Sequence, residues 1–143
     1  RSLPPLPRAM DHGSGGAIDG KIYVAGGRSG SIGGHTTQLD IYDPDDGSWT
    51  QGAPMPTSRG GIAGAVYAGQ LYVFGGEGSS RPGGVFDEVE AYDPVANTWQ
   101  TLEPMQPGRH GTGAATLGDK IYVPGGADVI AFGAVDTHQV YLP

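Results

Sequence analysis

The residues with the clearest binding chemistry are arginines in the turn and loop segments of the chain. Five of the eight basic residues are arginines that lie among glycine, proline and serine. A guanidinium binds a carboxylate through two parallel hydrogen bonds, so such a group could recognise an acidic ligand. The alternative is that these arginines pair with carboxylates of the protein itself, namely Asp11, Glu77, Asp87 or Asp128. The five arginines are Arg8, Arg28, Arg59, Arg81 and Arg109.

The sequence gives little support for a metal site, a nucleotide-binding site or covalent catalysis. The chain has no cysteine, which excludes thiol catalysis and zinc–thiolate sites. Its four histidines show neither H-x-H nor HExxH spacing, and it contains no G-x-S-x-G nucleophile motif. The stretch GGAIDGKI resembles a phosphate-binding loop but has Ile22 where a metal-binding hydroxyl is required. We therefore expect no metal site and no cofactor.

Composition and charge narrow the fold and the partners. With 27 glycines and 12 prolines, the longest stretches free of both have nine residues, which disfavours helices and favours short strands joined by turns. The net charge of −7 disfavours nucleic-acid binding, which needs a basic surface. No apolar run approaches the ~20 residues that cross a bilayer. We expect an all-β protein that binds neither nucleic acid nor a membrane.

The chain repeats itself with a period of about 50 residues. The pentapeptides YVAGG, YVFGG and YVPGG begin at Tyr23, Tyr72 and Tyr122. Each follows a proline turn and a run of small residues, and each precedes a variable loop and a second strand pattern such as QLDIYDP. Trp49 and Trp99 close the first two repeats. Each repeat thus holds four candidate strands, called a to d, and four antiparallel strands in about 50 residues predict a propeller blade.

The ordered set of paired glycines, Tyr-Asp-Pro and a following tryptophan resembles the kelch repeat, and the resemblance covers essentially the whole chain. It implies kelch-type β-propeller blades at residues 8–53, 54–103 and 104–143, each a four-stranded antiparallel sheet. The third repeat departs from the pattern, because VYLP replaces Tyr-Asp-Pro and no tryptophan follows. We therefore expect the last blade to lack its own outer strand.

Three blades do not close a ring, since propellers have typically four to eight blades. The resemblance implies closure with six or seven. The N-terminal segment 1–7, RSLPPLP, aligns with TQGAPMP of the first repeat and is predicted to be the outer strand of a shared blade. We expect either a 3 + 3 homodimer that forms a six-bladed ring or a missing propeller half.

The antiparallel strand order places the d–a and b–c connections at the same end of the ring, and long ordered loops on a rigid scaffold tend to carry function. The resemblance implies that peptide-binding kelch domains use arginines and small polar residues on this loop face. It carries over Arg59, Arg109 and Ser58 as the first candidate ligand-binding residues. The other candidates on the same face are His110, Arg28, Arg81 and Arg8.

Three functions remain open from the sequence. A non-enzymatic module that binds an acidic peptide, protein or glycan is favoured, because it needs no reactive group. The resemblance also implies a sugar-acid epimerase or isomerase, in which an arginine would hold the substrate carboxylate and His110 or His35 would move a proton. The third function is a structural half-propeller that self-associates without a ligand.

Overall fold

The computed structural model describes residues 2–143 and is built almost entirely of short β-strands. Its strands form three antiparallel sheets in chain order, each a propeller blade, and the other regular element is a 3-10 turn at Pro82–Gly84. None of the described residues forms a helix long and apolar enough to span a membrane. Blade 1 contains β1 (Ser14–Ile18), β2 (Lys21–Ala25), β3 (Leu39–Asp43) and β4 (Ser48–Gln51). Blade 2 contains β5 (Ala63–Tyr67), β6 (Gln70–Phe74), β7 (Val89–Asp93) and β8 (Thr98–Thr101), and blade 3 contains β9 (Ala115–Leu117), β10 (Lys120–Pro124) and β11 (His138–Tyr141).

Two-residue turns join the first two strands of blades 1 and 2. Asp19 and Gly20 have φ of 48° and 79°, and Ala68 and Gly69 have φ of 48° and 76°. A hairpin turn with positive φ at both central residues matches the twist of the flanking strands and places the glycine where no side chain is strained. These turns set the register, which pairs Ile18 with Lys21 in blade 1.

The hydrophobic core lies between the blades. One buried cluster joins Ile18, Tyr23 and Leu39 of blade 1 to Met55 and Leu71 of blade 2. A second cluster joins blade 2 to blade 3 through the corresponding positions. Its members are Ala63, Ala65, Tyr72, Phe74, Val89, Ala91, Met105, Ile121 and Val123. Each blade thus buries apolar surface by stacking on its neighbour, as expected for a repeat architecture.

Paired glycines mark the points where neighbouring blades meet. Gly27 donates a backbone hydrogen bond to the carbonyl of Arg59, and Gly76 donates one to the carbonyl of Arg109, both at 2.9 Å. At Gly26 a Cβ atom would lie 2.8 Å from the Arg59 carbonyl oxygen, closer than side chains approach. The glycines that end the second strand of each repeat therefore allow the backbones to touch.

The structure confirms the all-β fold with one sheet per repeat and the absence of an outer strand in blade 3, which has three strands instead of four. Residues 2–7 contain no strand, and Arg1 lies outside the described residues. The outer strand expected in segment 1–7 is therefore not formed within this single chain. Its role in a blade shared with another chain, like the six-bladed ring, stays a prediction.

Candidate functional site

In each blade, one arginine side chain hydrogen-bonds to two neighbouring strands and so joins them. In blade 2, Arg59 has no exposed surface. Its Nη1 donates to the carbonyl of Gly75 at 2.6 Å and to that of Glu88 at 2.9 Å. Its Nη2 donates to Oε2 of Glu90 at 2.8 Å. The guanidinium thus links the end of β6 to the start of β7.

The other two blades repeat this arrangement. Arg8 donates from Nε to Asp40 at 2.8 Å and from Nη2 to the carbonyl of Gly26 at 2.9 Å. Arg109, also fully buried, donates to the carbonyl of Gly125 and, at 2.6 Å, to Oε1 of Gln139. The acceptor side chains occupy equivalent positions in the three third strands, so blade 3 has a neutral amide where blades 1 and 2 have a carboxylate.

Arg59 and Arg109 stabilise their blades and are not presented to solvent, whereas the Arg8 side chain is 17% exposed. Burial lowers the pKa of Arg59, and the adjacent Glu90 opposes that change. Burial also lowers the pKa of Arg109. A buried guanidinium is tolerated only when its donors are satisfied, and here backbone carbonyls and the Glu90 or Gln139 side chain accept most of them. Arg59 and Arg109, the first candidates for ligand binding, are therefore not available to a ligand in this structure.

A second set of residues lies where an isolated backbone bridge extends the pairing of the first two strands of each blade. The bridges pair Asp11 with Arg28 in blade 1, Gly60 with Glu77 in blade 2 and His110 with Ala127 in blade 3. These positions are equivalent in the three blades, yet their residues differ completely. The repeat is thus broken here, while it is kept at the buried arginines.

The side chains at these bridges form one network across all three blades. Nη1 of Arg28 donates to Oε1 of Glu77 at 2.7 Å, and Nδ1 of His110 lies 3.5 Å from Oε2 of the same carboxylate. Nε of Arg28 donates to Asp11 at 3.1 Å, and its Nη2 lies 3.0 Å from Nε2 of His12. We call these five residues the rim network: Asp11, His12, Arg28, Glu77 and His110.

The side chains of the rim network range from buried to mostly exposed. Glu77 and His110 are buried, whereas the Asp11 side chain is 61% exposed and that of Arg28 is 13% exposed. Burial by itself would raise the pKa of Glu77. The backbone N–H of Ala131, which donates to this carboxylate at 3.0 Å, together with His110 and Arg28, lowers that pKa below its ordinary value. Glu77 is therefore a carboxylate at neutral pH.

His110 is oriented from both sides of its ring. Nε2 lies 2.9 Å from the carbonyl oxygen of Val129, while Nδ1 faces Glu77. A cavity of about 580 Å³ opens beside this ring and is also lined by the loop residues Ala131 and Phe132. Phe132 is 82% exposed. The rim network thus borders open space on the blade 3 side.

The remaining candidates lie apart from the rim network. Oγ of Ser58 lies 3.0 Å from Nδ1 of His35, and the ring of His35 packs edge-on against Phe86. Arg81 is half exposed and forms ion pairs with Asp87 and Glu88, which raise its pKa. The structure thus contains internal ion pairs of Arg28 with Asp11 and Glu77 and of Arg81 with Asp87.

Sequence reasoning placed Arg28 and His110 on the loop face and named Glu77 among the carboxylates that could pair with the arginines, but it did not predict that Glu77 also contacts His110. The signal in the sequence was that one position of the repeat is Arg28 in blade 1, Glu77 in blade 2 and Ala127 in blade 3. That signal is visible in the sequence, because Arg28, Glu77 and Ala127 each directly follow the paired glycines of their repeat. Among residues 2–143, no three His, Cys, Asp or Glu side chains are grouped to hold a metal ion.

The fold and the repeat define this chain as a kelch-repeat β-propeller segment. The solved structure of YjhT superimposes with a TM-score of 0.78 at 18% sequence identity, over 99% of this chain and 54% of YjhT. A family model described as N-acetylneuraminate epimerase matches residues 3–137. The chain therefore belongs to the N-acetylneuraminate epimerase family.

Curated relatives of two kinds share parts of the sequence. Human Kelch-like protein 34 is 39% identical over 74 residues, which are 48% of this chain and 11% of that protein. Kelch-like protein terF of Aspergillus terreus is 33% identical over 87 residues, 59% of this chain and 19% of that protein. N-acetylneuraminate epimerase 1 of Escherichia coli is 34% identical over 83 residues, 57% of this chain and 21% of that protein. The matches thus span about a fifth or less of these relatives.

Proposed function

We propose that the rim network is part of a site that binds a sugar acid of the N-acetylneuraminate type and inverts one of its stereocentres. The contact that carries this proposal joins Arg28, Glu77 and His110 from three successive blades, at positions where the repeat is broken. A shared packing solution recurs in every blade, whereas these residues do not recur. The family match along residues 3–137 and the epimerase from Escherichia coli support the substrate class.

The chemistry of epimerisation fits these side chains. Inversion breaks and remakes one bond at a stereocentre, and a proton must be accepted in one step and donated in another. Histidine serves most often as such a general acid and base. In this proposal His110 moves the proton, and the Glu77 carboxylate, 3.5 Å from Nδ1 of His110, orients its ring.

Arg28 is the residue that would hold the carboxylate of the sugar acid. Its guanidinium contacts Asp11, whose side chain is mostly exposed, and Glu77, which is buried. A ligand carboxylate can replace Asp11 at little cost because Asp11 returns to water, whereas Glu77 stays in place. Asp11 thus occupies the position that the ligand carboxylate takes in this proposal.

A non-enzymatic binding module is the second candidate. The Kelch-like relatives favour it. Such a module would recognise an acidic peptide, protein or glycan through the exposed loops. This function requires that the protein binds its ligand and does not convert it.

The test uses N-acetylneuraminate as the probe. Calorimetry measures its binding to the chain, and NMR measures the rate at which its two ring forms interconvert with and without protein. The proposal expects faster interconversion, lost in His110→Gln with binding kept, and weaker binding in Arg28→Met. Arg81→Met is the matched control, since it removes an arginine outside the rim network.

The outcomes separate the candidates. Binding of the probe without faster interconversion favours the non-enzymatic module. Neither binding nor acceleration, in a protein whose solution mass shows a closed ring, contradicts the proposal and favours the structural half-propeller.

A further inference from the structure

His12 lies at a position of the repeat where the other two blades have glycine. Its backbone φ is 55°, and the equivalent Gly61 and Gly111 have φ of 69° and 63°. A left-handed φ of this kind suits glycine and strains a residue that carries a Cβ atom. Backbone strain clusters at binding and active sites, so the side chain of His12 calls for a functional explanation.

The backbone of His12 lies on the innermost line of the three blades. The N–H of Gly61 donates to the carbonyl of His12 at 2.8 Å, and the N–H of Gly111 donates to the carbonyl of Gly61 at 3.0 Å. The first strands of successive blades are also neighbours, as expected for the strands nearest the axis of a propeller. His12 therefore lies close to the axis, at the point where the rim network begins.

The two ring nitrogens of His12 have different partners. Nη2 of Arg28 lies 3.0 Å from Nε2 of His12, and because a guanidinium only donates, Nε2 accepts. Nδ1 then carries the proton of the neutral ring and donates to Oδ1 of Asp11 at 2.6 Å. Nε of Arg28 donates to the same oxygen at 3.1 Å. Two N–H donors from separate segments of blade 1 thus converge on one carboxylate oxygen.

These donors favour an ionised carboxyl group at this point. The hydrogen bond from His12 is the main cause that lowers the pKa of Asp11; burial opposes the change, and the hydrogen bond from Arg28 adds to it. The main chain of Asp11 is fixed, because its N–H and carbonyl pair with the carbonyl and N–H of Arg28 at 2.9 and 2.8 Å. Its side chain is 61% exposed, so it can rotate into water and free both donors while the main chain stays in place.

We infer that Nδ1 of His12 and Nε of Arg28 together bind the carboxylate of a ligand, and that the Asp11 side chain competes with the ligand for these two donors. We call the two donors the carboxylate clamp. The inference rests on the proposed function, since it adds His12 to the same site and names what regulates its affinity. Asp11 opposes ligand binding in two ways, because it occupies the donors and because its charge repels a second carboxylate.

The experiment titrates the 143-residue chain with N-acetylneuraminate, with acetate and with the methyl ester of N-acetylneuraminate, and calorimetry measures each affinity. Asp11→Ala should bind both carboxylates about tenfold more tightly than wild type, and His12→Gly should bind them about tenfold more weakly, since one competitor or one donor is removed. The uncharged ester should show no such difference. Asp45→Ala is the matched control, because it removes an exposed carboxylate in the turn between β3 and β4, and it should bind as wild type does.

Thermal unfolding separates ligand binding from a structural role of His12. His12→Gly introduces the residue that blades 2 and 3 have at this position, and glycine adopts a φ of 55° without strain. The unfolding midpoint should therefore stay within about 5 °C of that of wild type. A much larger fall would assign His12 to the stability of the fold and would overturn the inference.

The remaining outcomes distinguish this inference from the proposed function. An unchanged carboxylate affinity in either Asp11→Ala or His12→Gly overturns the inference and leaves the proposed function with Arg28 alone as its carboxylate donor. The expected pattern of affinities without faster interconversion of the sugar's ring forms supports the carboxylate clamp and contradicts epimerisation. Absence of carboxylate binding even in Asp11→Ala, the variant without the competing side chain, overturns the inference.

Discussion

The buried arginines of the blades and the residues of the rim network differ in how they follow the repeat. Arg8, Arg59 and Arg109 recur once per blade and make the same contacts with a carbonyl and a third-strand side chain. At the rim, one position of the repeat is Arg28 in blade 1, Glu77 in blade 2 and Ala127 in blade 3. Recurrence therefore accompanies a structural role in this chain, and loss of recurrence singles out the polar residues that link the blades.

The largest expected effect comes from the buried arginine of the central blade. Arg59→Met removes the cation beside the buried Glu90 carboxylate and the donors to Oε2 of Glu90 and to the carbonyls of Gly75 and Glu88, so we expect a loss of about 3–5 kcal/mol in unfolding free energy. Chemical denaturation measures it. Arg81→Met, which removes a half-exposed ion pair, should cost no more than about 1 kcal/mol. Equal losses in the two variants would erase the distinction between buried and surface arginines.

A smaller effect, dependent on pH, is expected at the rim. Glu77→Gln removes the negative charge that faces both Arg28 and His110. Hydrogen bonds to charged groups contribute about 1.5–3 kcal/mol to the free energy of unfolding. Because the folded-state pKa of Glu77 is lowered, its contribution is present above the ordinary value of 4.5 and is lost as pH falls through the folded-state pKa. Denaturation of wild type and variant from neutral to acidic pH should show a stability gap that closes in acid. A gap that is constant across this range would contradict the lowered pKa.

The smallest effect tests the exception among the buried arginines. Gln139→Glu gives Arg109 the carboxylate partner that blades 1 and 2 already have. We expect a gain of about 1 kcal/mol in unfolding free energy, since a charged acceptor replaces a neutral one. Thermal unfolding at neutral pH measures it, with Gln139→Ala as the destabilised reference. A variant less stable than wild type would mean that the Gln139 amide, which also donates to the carbonyl of Gln106, contributes more than a charge would.

Much of the fold could be predicted from the sequence because its signals are local. Alternation in KIYVA and QLYVF marks the second strands, and paired glycines mark where those strands end. The lack of an outer strand in blade 3 followed from the absence of a third tryptophan. Tyr23 and Tyr72, which recur at one position of the repeat, lie in the two buried clusters between the blades.

The site was harder to predict because its residues come together through loops. Arg59 and Arg109 were interpreted as ligand-binding residues although they recur at a fixed spacing, which is also the mark of shared packing. Their burial depends on the carbonyls at the ends of β6 and β10, and side-chain patterns do not reveal those carbonyls. Arg28 and Glu77 both directly follow the paired glycines of their repeats, but their contact joins two blades, and the sequence of one blade does not show which side chain of the next blade lies beside it.

The contact of paired glycines with the next blade has a consequence for how such rings diversify. Because main chain touches main chain at Gly27 and Gly76, the angle between neighbouring blades depends on atoms that every sequence shares. Substitutions in the loops, which lie outside the core between the blades, leave that contact in place. Loops can change their length or charge over evolutionary time while the angle between neighbouring blades is kept. A new binding specificity then requires no new scaffold.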